Sequence, residues 1–156
     1  MLFAPGLSGT EVVLTQRAAN MRSHAGQVAF PGGKIDRTDT GPADAALREA
    51  EEEIGLDRCK VTPIGFLDAY LTGTGYRVVP LIARIDPDHA LTLNPAEVTA
   101  AFEVPLTFLM EPANHMLKSR AFNGRNHAYY EMPFDGFRIW GVTAGIIRGL
   151  YERIYR

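Results

Sequence analysis

One helix in this chain is punctuated at both ends, and it finishes on a knot of acid that a helix built for stability would avoid. Gly41-Pro42 suits a start, because proline is preorganised for the first turn and Asp44 follows near the positive end of the helix dipole. Gly55 suits a stop. Between them Ala43, Ala46, Leu47, Ala50 and Ile54 recur at helical spacing and define a buried stripe. A stripe this rich in alanine lets the helix approach a sheet closely. The closing run is Arg48-Glu49-Ala50-Glu51-Glu52-Glu53-Ile54-Gly55-Leu56, and Glu49, Glu52 and Glu53 share one face beside the stripe. Like charges three or four apart repel by about 0.2–0.5 kcal/mol per pair. The negative end of the dipole would favour cations here. A clustered anionic face in that place implies a positive occupant, and hard divalent cations take oxygen ligands.

The neighbouring segments predict strands and turns around this helix. Glu11-Val12-Val13-Leu14-Thr15 reads as a short strand, residues 16–26 as a polar loop, and Gln27-Val28-Ala29-Phe30 as a second strand stopped by Pro31-Gly32-Gly33. Residues 61–71 and 76–85 read as two strands around Thr72-Gly73-Thr74-Gly75, apolar enough for a covered sheet. Pro105 to Met110 suggests one or two helical turns. Asn123-Gly124 is a type I′ hairpin signal ahead of Ala128-Tyr129-Tyr130-Glu131. Ile146, Ile147, Leu150, Tyr151 and Ile154 make the apolar stripe of a last helix. Strands and helices intermix, so the expected class is α/β (α+β), with one sheet covered on more than one side.

The 156 residues are 46% hydrophobic and 22% charged, which suits one globular domain over residues 1–156. A net charge of −2 gives no reason to expect general affinity for nucleic acid or for a membrane surface. No apolar run is long enough to span a bilayer, and the first residues lack the pattern of a secretory signal. Cys59 stands alone and is expected to be a small buried or half-buried hydrophobe. A cytoplasmic setting is the expectation. Pairing of two copies is left open.

Pro31-Gly32-Gly33 followed by Arg48-Glu49-x-x-Glu52-Glu53-x-Gly55-Leu56 resembles the Nudix box, G-x5-E-x7-R-E-U-x-E-E-x-G-U with U apolar. The second half matches with Ala50 as U. In the first half Asp39 stands where the family has glutamate, and the spacer from Asp39 to Arg48 is one residue longer. Upstream, Val13-Leu14-Thr15-Gln16-Arg17-Ala18, Arg22, Gly26 and Phe30-Pro31-Gly32-Gly33 look like L-L-T-x-R-[S/A]-x3-R-x3-G-x3-F-P-G-G. That pattern marks the coenzyme A pyrophosphatase branch of the Nudix hydrolases. Relatives of this branch usually carry more residues ahead of the first core strand.

The resemblance implies a Nudix-type α/β/α sandwich with a mixed central sheet, and hydrolysis of the pyrophosphate bond of coenzyme A or its derivatives with Mg²⁺ or Mn²⁺. The products would be 4′-phosphopantetheine and 3′,5′-ADP. Glu49 and Glu53 are then the principal metal ligands, with a carbonyl from the Gly32-Gly33 turn adding one. Glu52 is a ligand or the base that orients water. Glu51 points away. Glu97, outside the box, is either an extra ligand or base, or an exposed turn residue. Arg17, Arg22 and His24 would meet substrate phosphates beside Gly33, since guanidinium forks suit phosphate. Tyr129, Tyr130 and Trp140 are more often core than adenine contacts. The alternatives are a Nudix hydrolase of ADP-ribose, a dinucleotide or a nucleoside triphosphate, or a non-catalytic nucleotide-binding module.

Overall fold

The computed structural model describes residues 1–6, 9–21, 23–122 and 124–156. Its centre is a six-stranded mixed sheet. Strand β2 (Gly9–Arg17) runs through the middle. On one side it pairs antiparallel with β8 (Val98–Pro105), and on the other with β1 (Leu2–Gly6) at its start and β3 (Val28–Ala29) at its end. Strand β1 continues the sheet in parallel to β7 (Leu81–Ile85), which pairs antiparallel with β4 (Val61–Phe66).

Alternation along β2 explains how the layers form. Val12, Val13 and Leu14 are all fully buried, and successive side chains leave opposite faces of a strand. Val13 packs with Ala50 and Ile54 of helix α1 (Pro42–Ile54), together with Leu56, Ala83 and Ile85. Val12 and Leu14 face the other way, into a cluster with Met132, Ile139, Ala144 and Ile147. That second layer combines helix α3 (Gly141–Tyr155) with a three-stranded antiparallel sheet. The sheet consists of β9 (Met116–Phe122), β10 (Arg125–Phe134) and β11 (Phe137–Trp140). A short helix, α2 (Leu106–Leu109), contributes Leu109 to the same cluster. The expected sandwich around a mixed sheet is therefore the fold, with a small sheet sharing the outer layer with α3. Among the described residues no helix is long and apolar enough to cross a membrane.

Several local expectations need correction. Strand β2 extends through Arg17, so the polar loop starts later than its composition suggests. The fully covered residues of α1 are Ala45, Ala50, Glu53 and Ile54, whereas Ala43 and Ala46 are half-buried. The long apolar run 61–71 is broken into β4 and a short strand β5 (Tyr70–Leu71), and 76–85 into β6 (Arg77–Val78) and β7. Strands β1 and β8 are additional. Ile154 is exposed, at the frayed end of the α3 stripe. Cys59 is exposed too, because it sits in a surface 3₁₀ turn whose entry is capped by Asp57 Oδ1 accepting the Cys59 N–H at 2.8 Å. Phe122 pairs with Arg125 in register, which matches the expected tight hairpin; Asn123 itself lies outside the described residues.

Candidate active site

The acidic end of α1 is placed by its backbone. Gly55 adopts a left-handed conformation (φ 63°), and its N–H donates to the Glu51 carbonyl at 2.9 Å. A Cβ on Gly55 would lie 2.8 Å from the Thr92 carbonyl oxygen. The Thr92 N–H donates to the Ile54 carbonyl (2.8 Å) and the Asn94 N–H to the Glu53 carbonyl (3.0 Å). The last carbonyls of the helix are thus satisfied by amides from the crossing loop at Thr92 and Asn94. The same segment then carries Glu97 toward the helix end. The Asn94 amide donates to Glu97 Oε1 at 3.1 Å, and the Glu97 carbonyl accepts from the Ala18 N–H at 2.8 Å.

Glu53 is the centre of the arrangement. Only 2% of its surface is exposed. One carboxylate oxygen accepts from the Gly32 N–H at 3.1 Å and the other from Arg17 Nη1 at 3.4 Å. Burial pushes its carboxyl up to about 7, and the charges of Glu49 and Glu97 add to that. The Gly32 amide and Arg17 oppose the shift. Burial likewise raises Glu49, with Arg48 opposing and Glu52 and Glu97 reinforcing. Glu49 thus feels the charges of Glu52 and Glu97, and Glu53 those of Glu49 and Glu97.

Arg48 organises the other side. Its guanidinium grips Asp39 in a two-point pair (2.9 and 3.0 Å), and Nη1 donates to Glu49 (3.1 Å) and Glu52 (2.9 Å). Nη2 also reaches the Lys34 carbonyl at 3.0 Å. Asp39, the substituted position of the box, is the partner that holds Arg48, and its carboxyl is drawn below the usual range by that pair. Gly33 completes the fit. A Cβ there would run into the Glu49 carboxylate, so any other residue would displace that carboxylate from its present place.

The remaining expected residues divide. Glu51 points away and pairs with Arg58 at 2.9 Å. Glu97 does sit in the turn that follows Asn94, half-buried rather than exposed, and its charge reaches Glu49 and Glu53. Arg17 is at the site, and among the described residues its buried Nε finds no acceptor. His24 is exposed, in a left-handed turn (φ 57°), with Nδ1 2.9 Å from Gln27 Oε1. Arg22 lies outside the described residues. Tyr130 and Trp140 are half-buried, and the Trp140 ring packs on Tyr129 and Arg138. The sequence suggests that Arg48 pins a neighbouring carboxylate through a two-point pair, and the structure shows such a pair with Asp39 as the partner. The burial of Glu53 and the choice of Asp39 as that partner escaped sequence reading.

Among the described residues no three acidic or imidazole groups are arranged as a ready ligand set, since each carboxylate is turned to a guanidinium or an N–H. The donor chemistry still suits a divalent cation. Five carboxylates (Asp39, Glu49, Glu52, Glu53 and Glu97) face two guanidinium groups (Arg17 and Arg48), leaving an anionic surplus of hard oxygens.

Residues 4–123 match the family model described as NUDIX domain. A protein of Escherichia coli O7:K1 described as an uncharacterized Nudix hydrolase, NudL, is 42% identical over 150 residues, covering 96% of this chain and 76% of its own length. A Nudix hydrolase from M. smegmatis, RenU, superposes with a TM-score of 0.58 at 27% identity, over 69% of this chain and 68% of its own. The Nudix domain of NrtR from Shewanella oneidensis, solved with ADP ribose, gives 0.59 over 98% of this chain and 83% of its own; at 18% identity it speaks to the fold.

Proposed function

Because the chain belongs to the Nudix family and is a pyrophosphohydrolase of a nucleoside diphosphate derivative, we propose that its substrate is coenzyme A or a coenzyme A derivative. Cleavage of the pyrophosphate bond would give 4′-phosphopantetheine and 3′,5′-ADP. One observation supports this choice above the others. Arg17, from the Val13–Gly33 signature, reaches Glu53, from the box, so the branch-specific segment and the hydrolytic helix end build the same site.

Glu49 and Glu53, with Glu52 and the Gly32 carbonyl, would hold Mg²⁺ or Mn²⁺. Such an ion, when bound, neutralises phosphate charge and lowers the pKa of a bound water. The chain's own part is to keep the carboxylates positioned. Arg48 restrains Glu49 and Glu52, and the Gly32 N–H restrains Glu53. Glu52 is engaged in an ion pair with Arg48 at 2.9 Å. Among the described residues Glu97 accepts a side-chain hydrogen bond only from the neutral Asn94 amide, and it faces the same cluster, which favours it as the base that orients water. Arg17, Arg22 and His24 lie in the signature segment that would meet the substrate's phosphates. A single domain over residues 1–156, in the cytoplasm, as a monomer or homodimer, completes the reading.

The test is a product assay over coenzyme A, ADP-ribose, NADH and nucleoside triphosphates with Mg²⁺ or Mn²⁺. Coenzyme A should be cleaved with the highest kcat/KM. Arg22→Ala should raise KM for coenzyme A more than for dephospho-coenzyme A. Preference for another member of the panel, with coenzyme A untouched, would replace this reading.

A further inference from the structure

The hairpin that joins β4 to β7 is held on two sides. Strands β5 and β6 pair through Tyr70 with Val78 and Leu71 with Arg77. On the inner side Tyr70 lies against α3, where a Cβ on Gly145 would meet the tyrosine hydroxyl at 2.5 Å. The Leu67 N–H donates to the Pro80 carbonyl at 2.9 Å and closes the base. The tip is locked as well. Thr72 N–H donates to the Tyr76 carbonyl (2.9 Å), Gly75 N–H to the Thr72 carbonyl (3.0 Å), and Tyr76 N–H to Thr72 Oγ1 (2.9 Å).

A well-fixed turn nevertheless leaves the Tyr76 side chain in solvent, at 54% exposure. The Lys34 ammonium sits over its ring, 5.6 Å from the centroid. Lys34 follows the Gly32-Gly33 turn, and its carbonyl is held by the Arg48 guanidinium that also pins Glu49 and Glu52. Tyr76 is therefore one residue removed from the carboxylate cluster. A cation–π contact in water is worth only about 0.5–1 kcal/mol, so the ammonium is readily exchanged onto an arriving anion.

We propose that Tyr76 and Lys34 form the nucleoside subsite: the purine stacks on the Tyr76 ring while the Lys34 ammonium meets a phosphate oxygen. An exposed aromatic face next to a cation matches a flat base joined to a phosphate. The inference rests on the adenine-nucleotide part of the function proposed above, and it names the residues that read that part.

Binding of ADP and of inorganic pyrophosphate to the full chain, measured by equilibrium dialysis in Mg²⁺ buffer, separates base from phosphate. Tyr76→Ala should weaken ADP about tenfold, the scale of one lost base–aromatic stack, and leave pyrophosphate within about twofold. Tyr76→Trp should keep ADP binding. In turnover, Tyr76→Ala should raise KM with kcat held. Unchanged ADP affinity, or equal losses for ADP and pyrophosphate, would overturn the subsite. If coenzyme A is not cleaved but Tyr76→Ala still loses ADP, the coenzyme A reading fails and the subsite stands. If coenzyme A is cleaved and ADP binding ignores the substitution, the subsite alone fails.

Discussion

Glu53→Gln should make the metal-free protein more stable while removing its activity. The Glu53 carboxyl rises from 4.5 to about 7 on folding, and each unit is worth 1.36 kcal/mol, so keeping it ionised costs about 3 kcal/mol above pH 7. Its sign follows from proton uptake. Between pH 4.5 and 7 the folded state binds more protons than the unfolded one, so stability falls as pH rises through that window. Glutamine keeps an acceptor for the Gly32 N–H but gives up the charge facing Arg17 at 3.4 Å. The value of about 7 already includes the Arg17 attraction, but the glutamine turns an amide N–H₂ toward the guanidinium, and that mismatch takes back about 1 kcal/mol of the gain. The net expectation is about 2 kcal/mol of added stability at pH 8, or a Tm rise of about 4–8 °C for a chain of this size. The advantage should vanish near pH 4.5, where the carboxyl is protonated in the folded state.

Thermal unfolding followed by circular dichroism, in EDTA at pH 8 and pH 5, measures both parts. Adding Mg²⁺ supplies the complementary arm. An ion that binds only the folded state at 100 times its Kd adds about 2.7 kcal/mol, and the parent should show that gain while the variant shows little. A Glu53→Gln protein less stable than its parent at pH 8 would refute the reasoning, because the buried carboxylate would then be stabilising in its own right. Equal Mg²⁺ responses would refute the assignment of Glu53 as a ligand.

Three further substitutions probe the frame around it. Gly33→Ala drives a methyl group into the Glu49 carboxylate and should lower kcat about 100-fold, the scale of a 1 Å misplacement, with the circular dichroism spectrum unchanged. Arg48→Lys removes the two-point grip on Asp39 while keeping the charge; kcat/KM should fall by about tenfold or more, and parental kinetics would show that the clamp is dispensable. Gly55→Ala forces a left-handed alanine against the Thr92 carbonyl and should cost at least about 1–2 kcal/mol in urea unfolding.

What the sequence makes legible is whatever repeats within one element. Val12, Val13 and Leu14 announce a strand covered on both faces, and Pro42 and Gly55 bracket α1 to the residue. Strand β1 hides because Pro5-Gly6 reads as a breaker, although Pro5 sits near the end of its pairing with β2, where a missing N–H is tolerated. Strand β8 hides because only Val98 and Val104 are fully buried over its eight residues, too sparse for a period of two. The site divides along the same line. The grouping of Glu49, Glu52 and Glu53 is a property of helical spacing. The burial of Glu53 is not, because its partners Gly32 and Arg17 are 21 and 36 residues away. The dipole argument shows the same limit from the other side. Acid at a helix C-terminus looks destabilising when the helix is considered alone, but the amides of Thr92 and Asn94 already satisfy the last carbonyls. What remains uncompensated is the mutual repulsion of the carboxylates and the desolvation of Glu53. One small cation held by these carboxylates, as proposed, would relieve both, so the instability of the metal-free site and the proposed affinity for metal would have the same physical origin.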